Sequence, residues 1–263
     1  MSTEKIIKNQ TKDLLKGNWS NVIAAILAVI AVILSISMIL SAFLYYVEAI
    51  NTETGTIVET KQMVILAASM VASAAIIFVS PIINGFFKML CNISVFGKAE
   101  IYDLFYFFRG ASRYFKTVFV NFVLYYLFSI ISSFLNVYGF VSLLTDSDLS
   151  TGFRFDAKTF ALLGAYIVSV VINALVYMLF VHYPLIAYSY NESLKASKYM
   201  FGFIGFSFRH FAKTLKLAVS FLGWLVLSGV FVVPAFYAVP YIAECGAVSA
   251  KWLFMLEKNR GVL

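Results

Sequence analysis

Residues 21–47 read NVIAAILAVIAVILSISMILSAFLYYV, an apolar run without Asp, Glu, Lys, Arg, His or Pro. As a helix rising about 1.5 Å per residue it is about 40 Å long. That exceeds the roughly 30 Å hydrocarbon core of a bilayer. In hydrocarbon every backbone N–H and C=O must be paired within the segment, so the run is expected to be a helix. The short alternating segments of a membrane barrel are absent.

Working outward, residues 62–87, 117–144, 159–190 and 217–239 are also free of Asp, Glu, Lys and Arg. Each is long enough to span. A sixth run, 241–256, is short and carries Glu244 and Lys251. Pro234 and Pro240 bracket residues 235–239 and are expected to break any helix there, because proline lacks an N–H and clashes with the preceding turn.

The charges between the runs decide the threading. Alternate gaps are basic or acidic. Seventeen of the twenty Lys and Arg residues fall in residues 1–20, 88–116, 191–216 and the C-terminal tail. The remaining gaps hold Lys61, Arg154 and Lys158 against Glu48, Glu53, Glu59, Asp146, Asp148 and Asp156. This is the positive-inside pattern. Without a sixth crossing, Lys251, Lys258 and Arg260 would lie on the acidic side. The expected fold class is therefore all-α: a single polytopic membrane helix bundle over residues 1–263, with six transmembrane helices and both termini in the cytoplasm.

Composition agrees. The chain is 62% hydrophobic and 13% charged, with mean hydropathy +0.89; soluble domains carry about 25% charged residues. The basic residues border apolar runs, so they are explained by topology and anionic phospholipid headgroups, not by nucleic acid. The run from Gly17 to Val47 is longer than a cleavable signal's apolar region and reads as a retained signal anchor. Cys91 and Cys245 are placed near opposite faces, which argues against a disulfide.

Three cytoplasmic segments are expected to be amphipathic. Ile7, Leu14, Leu15 and Trp19 form one apolar stripe beside Lys8, Lys12 and Lys16. Ile101, Leu104, Phe105 and Phe108 form a second near Arg109 and Arg113. Phe201, Ile204, Phe208 and Phe211 form a third near Arg209 and Lys213. Such helices lie in the headgroup plane or cap the bundle; both readings stay open. Each segment feeds a pair of spans, and Pro81 and Pro184 mark the exits of spans two and four, a weak internal repeat.

Several motifs resemble a bacterial six-span membrane family, the domain of unknown function 975 family. They are Leu14-Leu15-Lys16-Gly17-Asn18-Trp19, then Glu192-Ser193-Leu194-Lys195-Ala196-Ser197 with Met200, then Ser220-Phe221-Leu222-Gly223-Trp224 with Pro240-Tyr241. The last span departs from the family, with Ala243-Glu244-Cys245-Gly246 in place of a more apolar run. The resemblance implies the six-span fold and carries over no catalytic residues.

Candidate functional positions are few. Glu244 is the one acid inside an expected span, near its outer end, where an intramembrane carboxylate is a functional hypothesis. The alternative is an interfacial, hydrogen-bonded glutamate. His182 lies about two turns inside the cytoplasmic end of span four and is either a proton relay or an interfacial hydrogen-bonding residue. Its depth argues against pairing with Glu244. Asn121, Asn136 and Asn173 read as interhelical hydrogen-bond partners or as a polar path. Ala24, Ala28, Ala31 and Ser35, with Ala68, Ala72 and Ala75, form small-residue stripes suited to close helix packing.

Gly97-Lys98 has Asn92 where a phosphate-binding loop needs glycine, and the hydrolase and zinc-protease signatures are missing. No cofactor or metal set is indicated. Two functions follow as expectations: a non-enzymatic bundle that transports or binds a small or lipid-like molecule, or a structural or regulatory subunit with a membrane-protein partner. An intramembrane enzyme would need clustered ionisable groups at one depth.

Overall fold

The computed structural model describes residues 3–49, 61–145, 157–190, 196–221, 223–224, 227 and 232–259. Among them the protein is all helix, with no strand. The chain divides into two compact units, one of residues 1–121 with 220–263 and one of residues 122–219. Most of the two expected outer loops, with Glu53, Glu59, Asp146, Asp148, Arg154 and Asp156, lies outside the described residues.

In the first unit α1 (Thr3–Leu15) leads through Gly17 into α2 (Trp19–Tyr46). Gly17 sits at φ +85°, a left-handed conformation that glycine adopts without cost. Beside it the Asn18 amide donates to the carbonyls of Leu14 and Gly97, at 2.8 and 2.9 Å. Asn21 donates to the Ala99 carbonyl at 2.9 Å. The Leu-Leu-Lys-Gly-Asn-Trp motif thus builds the corner where α1, α2 and the end of α4 meet.

From the far end of α2 the chain returns as α3 (Gln62–Val79) and α4 (Pro81–Phe96). Lys61 donates its ammonium to the Val47 carbonyl, capping α2 with a cation at its negative end. Pro81 stands at the first position of α4, where the missing N–H has no helical partner to lose. It therefore joins two helices, whereas the sequence had it marking an exit. Gln62–Phe96 is effectively one rod of 35 residues. Gly97, at φ +75°, ends it in a left-handed cap. The α3 half is largely exposed and apolar; the α4 half is buried from Pro81 through Ser94 on most of its residues.

What covers α4 is partly a 3₁₀ helix, Ile101–Phe108, with Leu104 and Phe107 inside. The expected stripe is only partly right. Leu104 is in the core, while Ile101, Phe105 and Phe108 face outward. A 3₁₀ helix has three residues per turn, so 104 and 107 eclipse on one face, while 108, which an α-helix would keep near 104, turns away. The other cover is α1, whose buried face is Ile7, Thr11 and Leu15. This is the capping arrangement, with Trp19 stacked on Tyr237 at 5.1 Å.

α5 (Ala111–Phe134) runs from the first unit into the second. There α6 (Val137–Thr145) lies against α7 (Ala157–Tyr177). The expected span 117–144 is interrupted at Leu135–Asn136. Asn136 accepts the Gly139 N–H at 3.0 Å, capping α6, so it is not an interhelical partner. A π-turn, Met178–His182, then joins α7 to α8 (Tyr183–Tyr190). Pro184 explains the widened turn: its ring would collide with the carbonyl four residues back in a regular helix, and the bulge relieves this. Here again proline marks a joint and not an exit. α8 is buried from Tyr183 through Ser189 and packs on α9 (Ala196–Arg209). α9 buries Phe206 and Ser207, and His210 just after it is buried too, while Phe208 of the expected stripe faces outward; the side chain of Phe201 lies outside the description. α10 (Phe211–Val219) follows.

The last helix, α11 (Val232–Asn259), belongs to the first unit and packs on α1, α4 and α2. It runs unbroken through Pro240, against the expected break. Pro234 falls in its first turn, where proline is tolerated, and Pro240 forfeits one hydrogen bond in a helix buried continuously from Glu244 to Ala250. Among the described residues four helical stretches are long and apolar enough to cross a membrane: Trp19–Tyr46, Gln62–Phe96, Ala111–Ser142 and Ala157–Tyr190. α11 is not among them.

Candidate functional site

Three places stand out, and two of them hold polar groups singled out in the sequence. The first lies where α11 meets α1 and α4. Glu244 is fully buried there, and neither carboxylate oxygen has a hydrogen-bond partner among the described residues. Cys245 beside it has Thr11 and Tyr241 as polar neighbours. Tyr241 also donates to the Lys8 carbonyl at 3.3 Å. Lys251, two turns along α11, acts electrostatically on Glu244 but gives its proton to the Ser94 carbonyl at 2.5 Å.

Glu244, expected near the outer end of its span, stands on the helix that packs against α1 and α4, in the unit that holds the start of α2. Burial pushes its carboxyl well above the usual carboxylate range, and the Lys251 ammonium offsets part of that. Cys245 is likewise on the helix that packs against α4, which carries Cys91. Both cysteines are buried and neither is in a disulfide.

The second place joins three helices. Asn121 of α5 donates to Ser80 Oγ and to Asn84 Oδ1, both at 2.7 Å. All three side chains are buried. The amide fixes α5 across the α3–α4 joint, which is the interhelical role. Asn173 in the second unit does the same for α5 and α7: Ser132 donates to its Oδ1, and its own amide donates to the Ser169 carbonyl at 2.8 Å.

His182 closes the π-turn, its ring 5.6 Å from Tyr183 and 6.2 Å from Tyr177. It belongs to the second unit and Glu244 to the first. Among the described residues no three His, Cys, Asp or Glu side chains stand close enough to hold a metal.

The third place is a groove that the sequence foreshadowed only as a small-residue stripe. α2 and α3 border an open groove of about 650 Å³. Ile36, Ile39 and Phe43 form one wall, and Ala68, Ala72 and Ala75 the other. Every lining residue is apolar. Neither Glu244, His182 nor any of the asparagines reaches it. A groove of this kind offers contact area and no hydrogen bonds, so it rejects solutes whose polar groups need partners.

Three of the basic residues stand over aromatic rings. Lys8 stands 4.4 Å over the Phe221 ring. Lys88 and Arg113 stand 5.1 and 4.4 Å from the Tyr106 ring. Each secures an element of the region around α4.

No family model, curated protein or solved structure compared with the chain matches it.

Proposed function

We propose that this chain is a multi-pass protein of the cell membrane, with both termini in the cytoplasm, that binds an apolar, lipid-like molecule without chemically changing it. The groove between α2 and α3 carries this reading. Its volume suits a small ligand or an acyl chain, and its wholly apolar walls select against polar solutes. The alternating charge pattern supports the orientation and contact with anionic headgroups. The six membrane segments read from the sequence, and the resemblance to the six-span family, rest on the quoted runs and motifs. Four of the six are matched by helices of spanning length.

The alanine wall favours one alternative, a structural or regulatory subunit. Small residues let a partner's transmembrane helix approach closely, and Ala68, Ala72 and Ala75 offer such a surface.

A photoreactive phospholipid with a diazirine on its acyl chain separates the two. In nanodiscs, cross-links should concentrate several-fold on α2 and α3 peptides, and Ala72→Phe should abolish that excess without lowering thermal stability. Labelling spread evenly over all exposed helices removes the lipid site. A co-purifying membrane protein that cross-links to these peptides instead supports the subunit reading.

A further inference from the structure

Residues 217–239 and 241–256 were expected to cross the membrane outward and back, with a turn at Pro240. That arrangement puts Ser220 and Tyr241 at opposite faces, about 30 Å apart. Instead both rest on one residue of α1. The Lys8 ammonium donates to the Ser220 carbonyl at 3.1 Å, and the Tyr241 hydroxyl donates to the Lys8 carbonyl at 3.3 Å. Phe221 and Tyr241 are in edge contact at 5.8 Å. One step further along both strands of chain, Trp224 meets Tyr237 at 5.2 Å. The two strands therefore run side by side in opposite directions, pairing 221 with 241 and 224 with 237.

Chain length sets how far such a pair can reach. From Trp224 to Val232 is eight residues (232 less 224), about 28 Å even if fully extended. Val232 stands five residues above Tyr237 on α11, about 7.5 Å. The chain can thus rise at most about 18 Å above Tyr237 before returning, and about 10 Å at helical rise. Tyr237 itself stacks on Trp19, the first residue of α2. Phe236, Val239 and Pro240 border a cavity shared with Ile23, Ile26, Leu27 and Ile30, in the first three turns of α2.

We propose that the chain enters the bilayer after Ser220–Phe221 and leaves it before Tyr241 by one face, the face from which α2 starts, so that this hairpin is re-entrant and not a crossing. Its outward side suits acyl chains: Leu227, Val233, Phe236 and Val239 are exposed and apolar, and no charged residue lies between Lys216 and Glu244. Trp19, Trp224 and Tyr237 stack at its base, where amphipathic rings favour the headgroup level. The rest of α11, from Glu244 onward, then lies outside the hydrocarbon. Naming the leaflet as cytoplasmic rests on the orientation proposed above; the re-entrant path does not.

Single cysteines at Thr54 and Ala243 test the path with a membrane-impermeant maleimide applied to either side of sealed vesicles. The native chain serves as the blank, since Cys91 and Cys245 are buried. The hairpin places Thr54→Cys and Ala243→Cys on opposite faces, whichever way the protein is oriented. Two true crossings place them on the same face, and that result overturns the proposal. If Ala243→Cys proves unreactive, Thr11→Cys decides. α1 packs on α11, with Thr11 beside Cys245, so mild oxidation should form a Thr11→Cys–Cys245 disulfide in most of the protein. Two crossings would hold Cys245 near the other face, and absence of the cross-link rejects the hairpin.

Discussion

Gly85→Ala should destabilise the protein more than any other single methyl addition in α4. A Cβ at this position would press into the backbone of Leu104, 2.5 Å from its carbonyl carbon and 2.7 Å from its Cα. Backbone cannot swing aside as a side-chain tip does. The 3₁₀ helix would have to lift, uncovering Leu104 and Phe107. Overpacking of this kind costs about 3 kcal/mol or more, a fall of about 6–12 °C in Tm for a chain of this size. Gly164→Ala in α7 is the control: its Cβ meets nothing within 4 Å, and alanine is the better helix former by about 1 kcal/mol. Thermal unfolding in one detergent compares the two. Equal Tm values for Gly85→Ala and Gly164→Ala would refute the close approach.

Glu244→Gln should stabilise the protein at pH 8, by several degrees in Tm. The wild-type carboxyl is fully buried without a hydrogen bond, and its affinity for a proton is raised by that burial. The folded state therefore holds the proton more tightly than the unfolded chain, where a glutamate titrates near about 4.3. The acid's favourable contribution is complete below that value and is lost as pH rises toward the folded pKa. Glutamine keeps the shape and stays neutral, so its advantage should grow with pH and vanish at about pH 4. Lys251, Cys245, Tyr241 and the nearby Lys8 face the same region. If Gln is the less stable side chain at pH 8, the native carboxylate is charged and paired, and Lys251 becomes its partner.

The spans around α2, α3 and α7 were legible because twenty or more uncharged residues admit one structure in hydrocarbon. The polar side chains were legible as types but not as places. Asn121 and Asn173 proved to bridge helices, while Asn136 caps a break that its apolar neighbours hid. Proline misled at four positions. Pro81, Pro184 and Pro234 sit at joints or a first turn, where the lost N–H matters little, and a continuously buried helix outweighs the lost bond at Pro240. For Glu244 the charge pattern leaves two readings open. A re-entrant segment and a pair of crossings leave the tail on the same side, so the charge rule reads identically for both. Only the contacts of Lys8 with Ser220 and Tyr241 separate them. Gly85 carried a signal that went unused: a glycine inside an apolar helix costs about 1 kcal/mol relative to alanine and so implies a close neighbour.

Orientation in the membrane underlies the functional reading, and it is measured most directly in intact cells. With a cysteine at Thr54 and a second variant with one at Arg109, each probed by an impermeant thiol reagent, the account predicts that Thr54→Cys labels from outside and Arg109→Cys labels only after the cells are opened. Labelling of Arg109→Cys in sealed cells, with Thr54→Cys protected, would contradict it.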